Sequence, residues 1–223
     1  MKTFNFNFKI TIVAFVAFFL LANNILFAQD QSILINLHNA IKSVKQYHTS
    51  EQFNHDVEIA IDDGLANLQQ LEIPKNAAFV FDVDETALSN FEYELRYNFG
   101  YDAKTWDEWI KEANATAIPG VKRLYDSLIA RGIKIIFITG RNAALIKDTE
   151  LNLKKVGYNR YDTLICKTPE FKGKKAIEYK SKIRKELSSK YKIIGSVGDQ
   201  WSDLEGGWTI IKIKIPNYMY FIE

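Results

Sequence analysis

The 223-residue sequence is short of several residue types, and each shortage removes a class of function. It has one cysteine, Cys166, so an internal disulfide is impossible. No cysteine lies near the N-terminal apolar run, which also removes a lipid-modified N-terminal cysteine. Cys166 ends the apolar run TLIC and reads as a small buried hydrophobe. Only three histidines occur, His38, His48 and His55. None has a partner at metal-ligand spacing, so they read as surface or packing residues. Charge of one sign is missing too. The formal net charge is +2, and without Lys2 and Lys9 the basic residues equal the 27 acidic ones. A neutral body gives no electrostatic case for nucleic acid or an anionic membrane. Low-complexity tracts and internal repeats are absent.

The one long apolar run is at the start. Lys2 and Lys9 precede residues 10–21, apolar except Thr11, and Leu26-Phe27-Ala28 follows. This is the layout of a signal peptide over residues 1–28, with Ala28–Gln29 the expected cleavage site. The run is shorter than the roughly 20 residues of a spanning helix, so no stable membrane anchor is expected after cleavage. The expected location is periplasmic or secreted.

Residues 29–74 carry two helical periods, 30–47 and about 50–71, the second capped by Thr49 with Gln52 or by Ser50. Pro74 closes this N-terminal helical segment. Residues 75–223 alternate apolar strands with helices, which predicts an α/β fold with a parallel sheet covered on both faces. Strands are expected at 77–81, 133–138, 163–166, 191–197 and 208–215. Helices are expected at 119–131, 142–156 and 172–190. An aromatic-rich insert, about 91–118, interrupts the pattern. Thr105 with Glu108 forms a capping-box signature there, predicting a helix over 106–112.

AAFVFDVDETALSN, residues 77–90, is a buried-strand run that delivers Asp82 and Asp84 at its end. Side chains alternate along a strand, so both carboxylates can face one site. Taken alone, the pair reads equally well as a turn. Thr139-Gly140-Arg141 and the Asp199 to Asp203 segment also follow predicted strands. In an open parallel sheet such ends converge on one crevice, where ligands bind.

FDVDETALSN, FITGR, YKSKIR, VGDQWSDL and the IPNYMYFIE tail, in that order, resemble the haloacid-dehalogenase (HAD) superfamily. The closer similarity is to its class III acid phosphatases (subfamily IIIB), which include bacterial envelope enzymes and plant vegetative storage proteins. The resemblance implies a Rossmann-like core with a small cap and a Mg²⁺-dependent phosphomonoesterase. It implies that Asp82 attacks phosphorus, that Asp84 moves protons, and that Thr139 and Lys180 hold the phosphoryl group. Asp199, the Asp82 carboxylate and the Asp84 backbone carbonyl would bind Mg²⁺. Asp203 would orient that shell or coordinate directly. Arg141 would reach the phosphate or salt-bridge its loop. Without Mg²⁺ and Lys180, these carboxylates and a phosphate dianion could not share a dry crevice. Tyr93, Trp106 and Trp109 are candidates to stack a base in a nucleoside monophosphate. Ala87 and Ser89 depart from the family pattern beside the chemistry. The expected partner is a small phosphomonoester, with a homodimer left open. Phosphoryl transfer to an alcohol, and a non-catalytic storage or phosphate-binding role, are the rival readings.

Overall fold

A computed structural model describes residues 35–222, so the expected leader lies outside the described residues. The chain separates into a unit of residues 1–40 and a unit of residues 41–223. In the described part of the first unit, the Asn36 side chain accepts from the amides of His38 and Asn39, starting helix α1 (Leu37–Thr49).

Helix α2 (Glu51–Gln69) leads to strand β1 (Ala77–Phe81). The insert follows as β2 (Leu88–Ser89), α3 (Phe91–Arg96), α4 (Ala103–Glu112) and β3 (Thr116–Ala117). The chain then runs through α5 (Pro119–Ala130), β4 (Lys134–Asn142), α6 (Ile146–Lys155), β5 (Thr163–Lys167), α7 (Ala176–Leu187), β6 (Lys192–Gly198) and β7 (Ile211–Lys214). The five long strands form one parallel sheet in the order β5-β4-β1-β6-β7. A two-residue antiparallel ribbon, Leu88 to Ala117 and Ser89 to Thr116, brackets the insert. Among the described residues no helix is long and apolar enough to cross a membrane.

The apolar runs of β1 and β4 have no polar alternation because both sheet faces are covered. Ala77, Phe79 and Phe81 join Ile135 and Phe137 in the larger core, which includes Val57, Ile61, Leu124 and Leu128 from α2 and α5. Ala78, Val80, Ile136 and Ile138 face the smaller core under Tyr179 and Ile183 of α7. Each fully buried phenylalanine contributes about 1.5–3 kcal/mol of burial. Helix α2 supplies four residues to the larger core, Phe53, Val57, Ile61 and Leu68.

Gly195 stands opposite Phe79 in the β1–β6 register, next to a register shift between Ala78 and Phe79. A Cβ there would lie 2.1 Å from Phe79 Cε2, inside the sheet's own core. Gly195→Ala therefore overpacks the site and costs about 1–3 kcal/mol. The check is a lower urea midpoint at an unchanged m-value.

His48, read as a surface or packing residue, stacks on Phe91 at 4.8 Å and meets Phe53 at 4.4 Å. Its Nε2 is buried with no hydrogen-bond partner. Burial lowers its pKa from 6.5 to about 4. The folded state thus disfavours the charged ring, and the stability associated with neutral His48 is complete above pH 6.5 and lost as pH falls towards 4. His48→Phe should remove this slope. A wild-type-minus-variant stability difference that is flat between those pH values would refute it.

Several boundaries differ from the sequence expectation for local reasons. Helix α4 starts at Ala103 because Asp102 caps it, accepting from the amides of Lys104 and Thr105. The Thr105 hydroxyl turns back to the Asp102 carbonyl, so the Thr105–Glu108 box is not used. Ser50, not Thr49, caps α2. Strand β4 continues to Asn142, and a 3₁₀ turn delays α6 to Ile146. Gly206, Gly207 and Trp208 all have positive φ, which postpones β7 to Ile211.

Candidate active site

Strands β4, β1 and β6 are neighbours, so the residues after their C-terminal ends meet. The Asp82 amide donates to Val197 O at 3.0 Å, tying the end of β1 to β6. The chain then folds back, with Glu85 at φ 50° and the Leu88 amide donating to Val83 O. This loop presents Asp82 and Asp84 to one cavity of about 430 Å³.

The first charge cluster lies beneath Asp82. Lys180, from α7, places Nζ 2.6 Å from Asp82 Oδ1 and also pairs with Asp203 Oδ1. The expected roles singled out Lys180 among many lysines, and among the described residues it is the one buried lysine. Asp203 closes a 3₁₀ turn, Trp201–Asp203, with its Oδ2 accepting from the Gln200 amide at 2.9 Å. Gly198 permits this packing, since a Cβ would lie 2.2 Å from Asp203 Cβ. Arg184, one turn beyond Lys180, is fully buried and donates to the carbonyls of Ser202, Asp203, Glu205 and Gly207. It fixes the loop that carries Asp203. Asp199 is held by Gln200 Nε2 at 2.6 Å and by Asn217 Nδ2 at 2.7 Å.

Three carboxylates and one ammonium leave this cluster with excess negative charge. Burial, then the Asp203 carboxylate, raises the Asp82 pKa well above the ordinary aspartate range, against the pull of Lys180. Burial and Asp203 likewise push Asp199 up to about 6. Burial alone would lower Lys180, but Asp203 and Asp82 outweigh it and hold the ammonium charged.

The second cluster fixes Asp84. Arg141 Nη2 donates to Oδ1 at 2.7 Å, and its Nε donates to Oδ1 at 2.9 Å and Oδ2 at 3.2 Å. Arg141 is thus in a salt bridge with Asp84 and also lines the cavity. Thr139 is fully buried behind Asp84 rather than on the cavity wall, with its hydroxyl 3.5 Å from Asp84 Oδ2 and accepting from the Arg141 amide. Asn90 links the parts: its Nδ2 donates to Asp84 Oδ1 and Glu85 Oε2, each at 2.9 Å. Its Oδ1 accepts from Trp109 Nε1 at 2.8 Å. Glu85 also accepts from the Tyr220 hydroxyl at 3.1 Å, and burial raises its pKa to about 8.

Trp106 lines the cavity with Phe99 and Tyr101, as does the C-terminal stretch from Met219 to Ile222. Tyr93 and Trp109 do not, which corrects their expected place at the substrate. Both are buried in the core, Trp109 bonded to Asn90 and Tyr93 through its hydroxyl to Thr105. Their polar tips are used inside the fold. Sequence reasoning missed Asn90, Glu85, Arg184, Gln200, Asn217 and Tyr220 as parts of the site. Asn90 and Glu85 lie within the quoted motif, but nothing in spacing separates them from its loop residues.

The residues suit a divalent cation. One oxygen from each of Asp82, Asp199 and Asp203 lies within 4.8 Å of the others, and all three are buried. An all-oxygen donor set with uncompensated negative charge fits a hard cation. Both Asp203 oxygens have protein partners, Lys180 and the Gln200 amide.

A family model for the HAD superfamily, subfamily IIIB (acid phosphatase), matches residues 28–223. A stem 31 kDa glycoprotein of Glycine max is 35% identical over 189 residues, 82% of this chain and 74% of its own. Acid phosphatase 1 of Solanum lycopersicum is 30% identical over 186 residues, covering 80% and 73%. Vegetative storage protein 1 of Arabidopsis thaliana is 30% identical over 206 residues, covering 86% and 76%. Among solved structures, the class C acid phosphatase from Bacillus anthracis has a TM-score of 0.70 at 24% identity, over 82% of this chain and 85% of that one, a likeness of fold. Sheet order, charge clusters and family match agree: the chain belongs to subfamily IIIB, the acid phosphatases, of the HAD superfamily.

Proposed function

We propose that this protein hydrolyses small phosphomonoesters through a phosphoaspartate on Asp82, in the presence of Mg²⁺. The observation that carries the reading is the buried Asp82 carboxylate, paired through Oδ1 with Lys180 and opening on the same cavity as Asp84. An Asp82 oxygen attacks phosphorus, the bond to the leaving oxygen breaks, and Asp84 delivers a proton to that oxygen. Asp84 then takes a proton from water, which attacks the same phosphorus and frees Asp82 and inorganic phosphate. Arg141 and Asn90 hold the Asp84 carboxyl in one orientation for both transfers. Lys180 offsets repulsion between Asp82 and the incoming dianion. Asp82, Asp199 and the Asp84 backbone carbonyl are the groups that would hold Mg²⁺, with Asp203 orienting them. When bound, the ion supplies positive charge to phosphoryl oxygens as they approach the acids.

The aromatic wall at Trp106 supports a planar leaving group, nucleosides among them. The basic start and apolar run of residues 1–28 support export to the periplasm or medium. The vegetative storage proteins among the relatives favour a second reading, a storage role. The intact Asp82, Asp84, Lys180 and Asp199 set opposes it. Removing divalent ions with a chelator should lower phosphate release from phenyl phosphate by at least about 10²-fold, and added Mg²⁺ should restore it. Undiminished release after chelation would overturn the metal dependence. Including glycerol and measuring glycerol phosphate distinguishes transfer from hydrolysis.

A further inference from the structure

Glu94, on α3, lines the same cavity from the insert side, with only 7% of its surface exposed. Among the described residues its carboxyl has no hydrogen bond and no ion pair. The three cations on the cavity wall, Arg141, Lys167 and Lys180, each have another partner. Arg141 holds Asp84, and Lys180 holds Asp82 and Asp203. Arg96, on the same helix, binds Glu92 and Glu112, while Lys167 donates to the Lys174 carbonyl. A place in the first turn of a six-residue helix offers little compensation. Helix ends give at most a small fraction of what an unpaired buried carboxylate loses in hydration. Burial accordingly raises its pKa to about 7. Around it the cavity is aromatic, with Phe99, Tyr101, Trp106 and Phe221 in the wall. An acceptor beside these rings matches a flat ligand whose edge donates hydrogen bonds.

We propose that Glu94 is a specificity residue for the leaving group, accepting hydrogen bonds from N–H donors on the edge of a planar heterocycle. The inference rests on the phosphatase reading and concerns the opposite end of its substrate from the phosphoryl group. An acceptor on the cavity wall discriminates against a ligand that lacks the donor, because such a ligand displaces water from its lone pairs and returns no hydrogen bond.

The test compares guanosine 5′-monophosphate, which has two adjacent N–H donors, with purine riboside 5′-monophosphate, which has neither. The wild-type, Mg²⁺-loaded protein should favour the former in kcat/KM by at least about tenfold. Glu94→Leu should bring the ratio close to one, and its loss on the donor-bearing substrate should exceed its loss on phenyl phosphate by the same factor. Glu94→Gln, which keeps the shape and exchanges one acceptor for a donor, should lower the ratio too and covers the case in which the leucine variant does not fold. An unchanged ratio in a folded variant, or equal losses on all three substrates, would overturn the proposal. Calorimetric binding of guanosine and purine riboside to the same proteins reads this contrast without turnover. Absence of phosphate release from every substrate would instead defeat the phosphatase reading, while the calorimetric ratio still decides the role of Glu94.

Discussion

Asp82→Asn should lower phosphate release by about 10⁴-fold or more while leaving the metal-free protein at least as stable as the wild type. The loss follows if Asp82 is the nucleophile, as proposed, because an amide oxygen cannot form the acyl phosphate. The gain follows from the charge count around Lys180. Burial and the Asp203 carboxylate raise the Asp82 pKa from its ordinary 3.8, so the folded state holds that proton more tightly than the unfolded chain does. Stability therefore falls as pH rises above 3.8, and at neutral pH the ionised Asp82 is a net cost. Asparagine removes the charge and keeps an acceptor for the Lys180 ammonium 2.6 Å away. Denaturation of the chelated proteins at neutral pH checks the sign. A lower midpoint for the variant would show that Asp82 is held there by the fold rather than for the chemistry.

Lys180→Met has the opposite stability effect. It leaves Asp82, Asp199 and Asp203 with oxygens within 4.8 Å of one another and no ammonium between them. Removing one partner of a buried ion pair costs about 3–5 kcal/mol, which for a chain of this size lowers Tm by roughly 10 °C. Activity should fall by about 10²–10³-fold, since the phosphoryl charge loses a fixed cation. The matched control is Lys182→Met on the same helix. Its ammonium is exposed and 3.9 Å from Glu186, so the change should stay within about 0.5 kcal/mol. Equal effects of the two substitutions would mean that Lys180 is an ordinary helix-face lysine.

Much of the core was legible because its signals are local. The unbroken apolar runs of β1 and β4 follow from burial on both faces, and Asp82, Asp84 and Asp199 follow their strands directly in sequence. Lys180 was not legible from position, since five other lysines lie close by in sequence and only a motif resemblance distinguished it. The Arg141–Asp84 bridge spans 57 residues, and the Asn217–Asp199 bond joins the tail to the site. No periodicity encodes such pairs. The aromatic insert misled for a related reason. Composition counts rings but does not say which way they face, and Tyr93 and Trp109 turn inwards while Trp106 alone of the three reaches the cavity. Glu94 carried no sequence signal, because a single glutamate on a short helix reads as a solvated one. Its significance lies in what the fold leaves unpaired.

The central claim is covalent chemistry at Asp82, and trapping the intermediate tests it most directly. The Mg²⁺-loaded protein is quenched in acid during turnover of phenyl phosphate, digested, and examined by mass spectrometry. A phosphoryl group on the peptide containing Asp82, absent from Asp82→Asn, is the expected result. Steady turnover with that peptide unmodified, or with the label on another residue, would contradict the account.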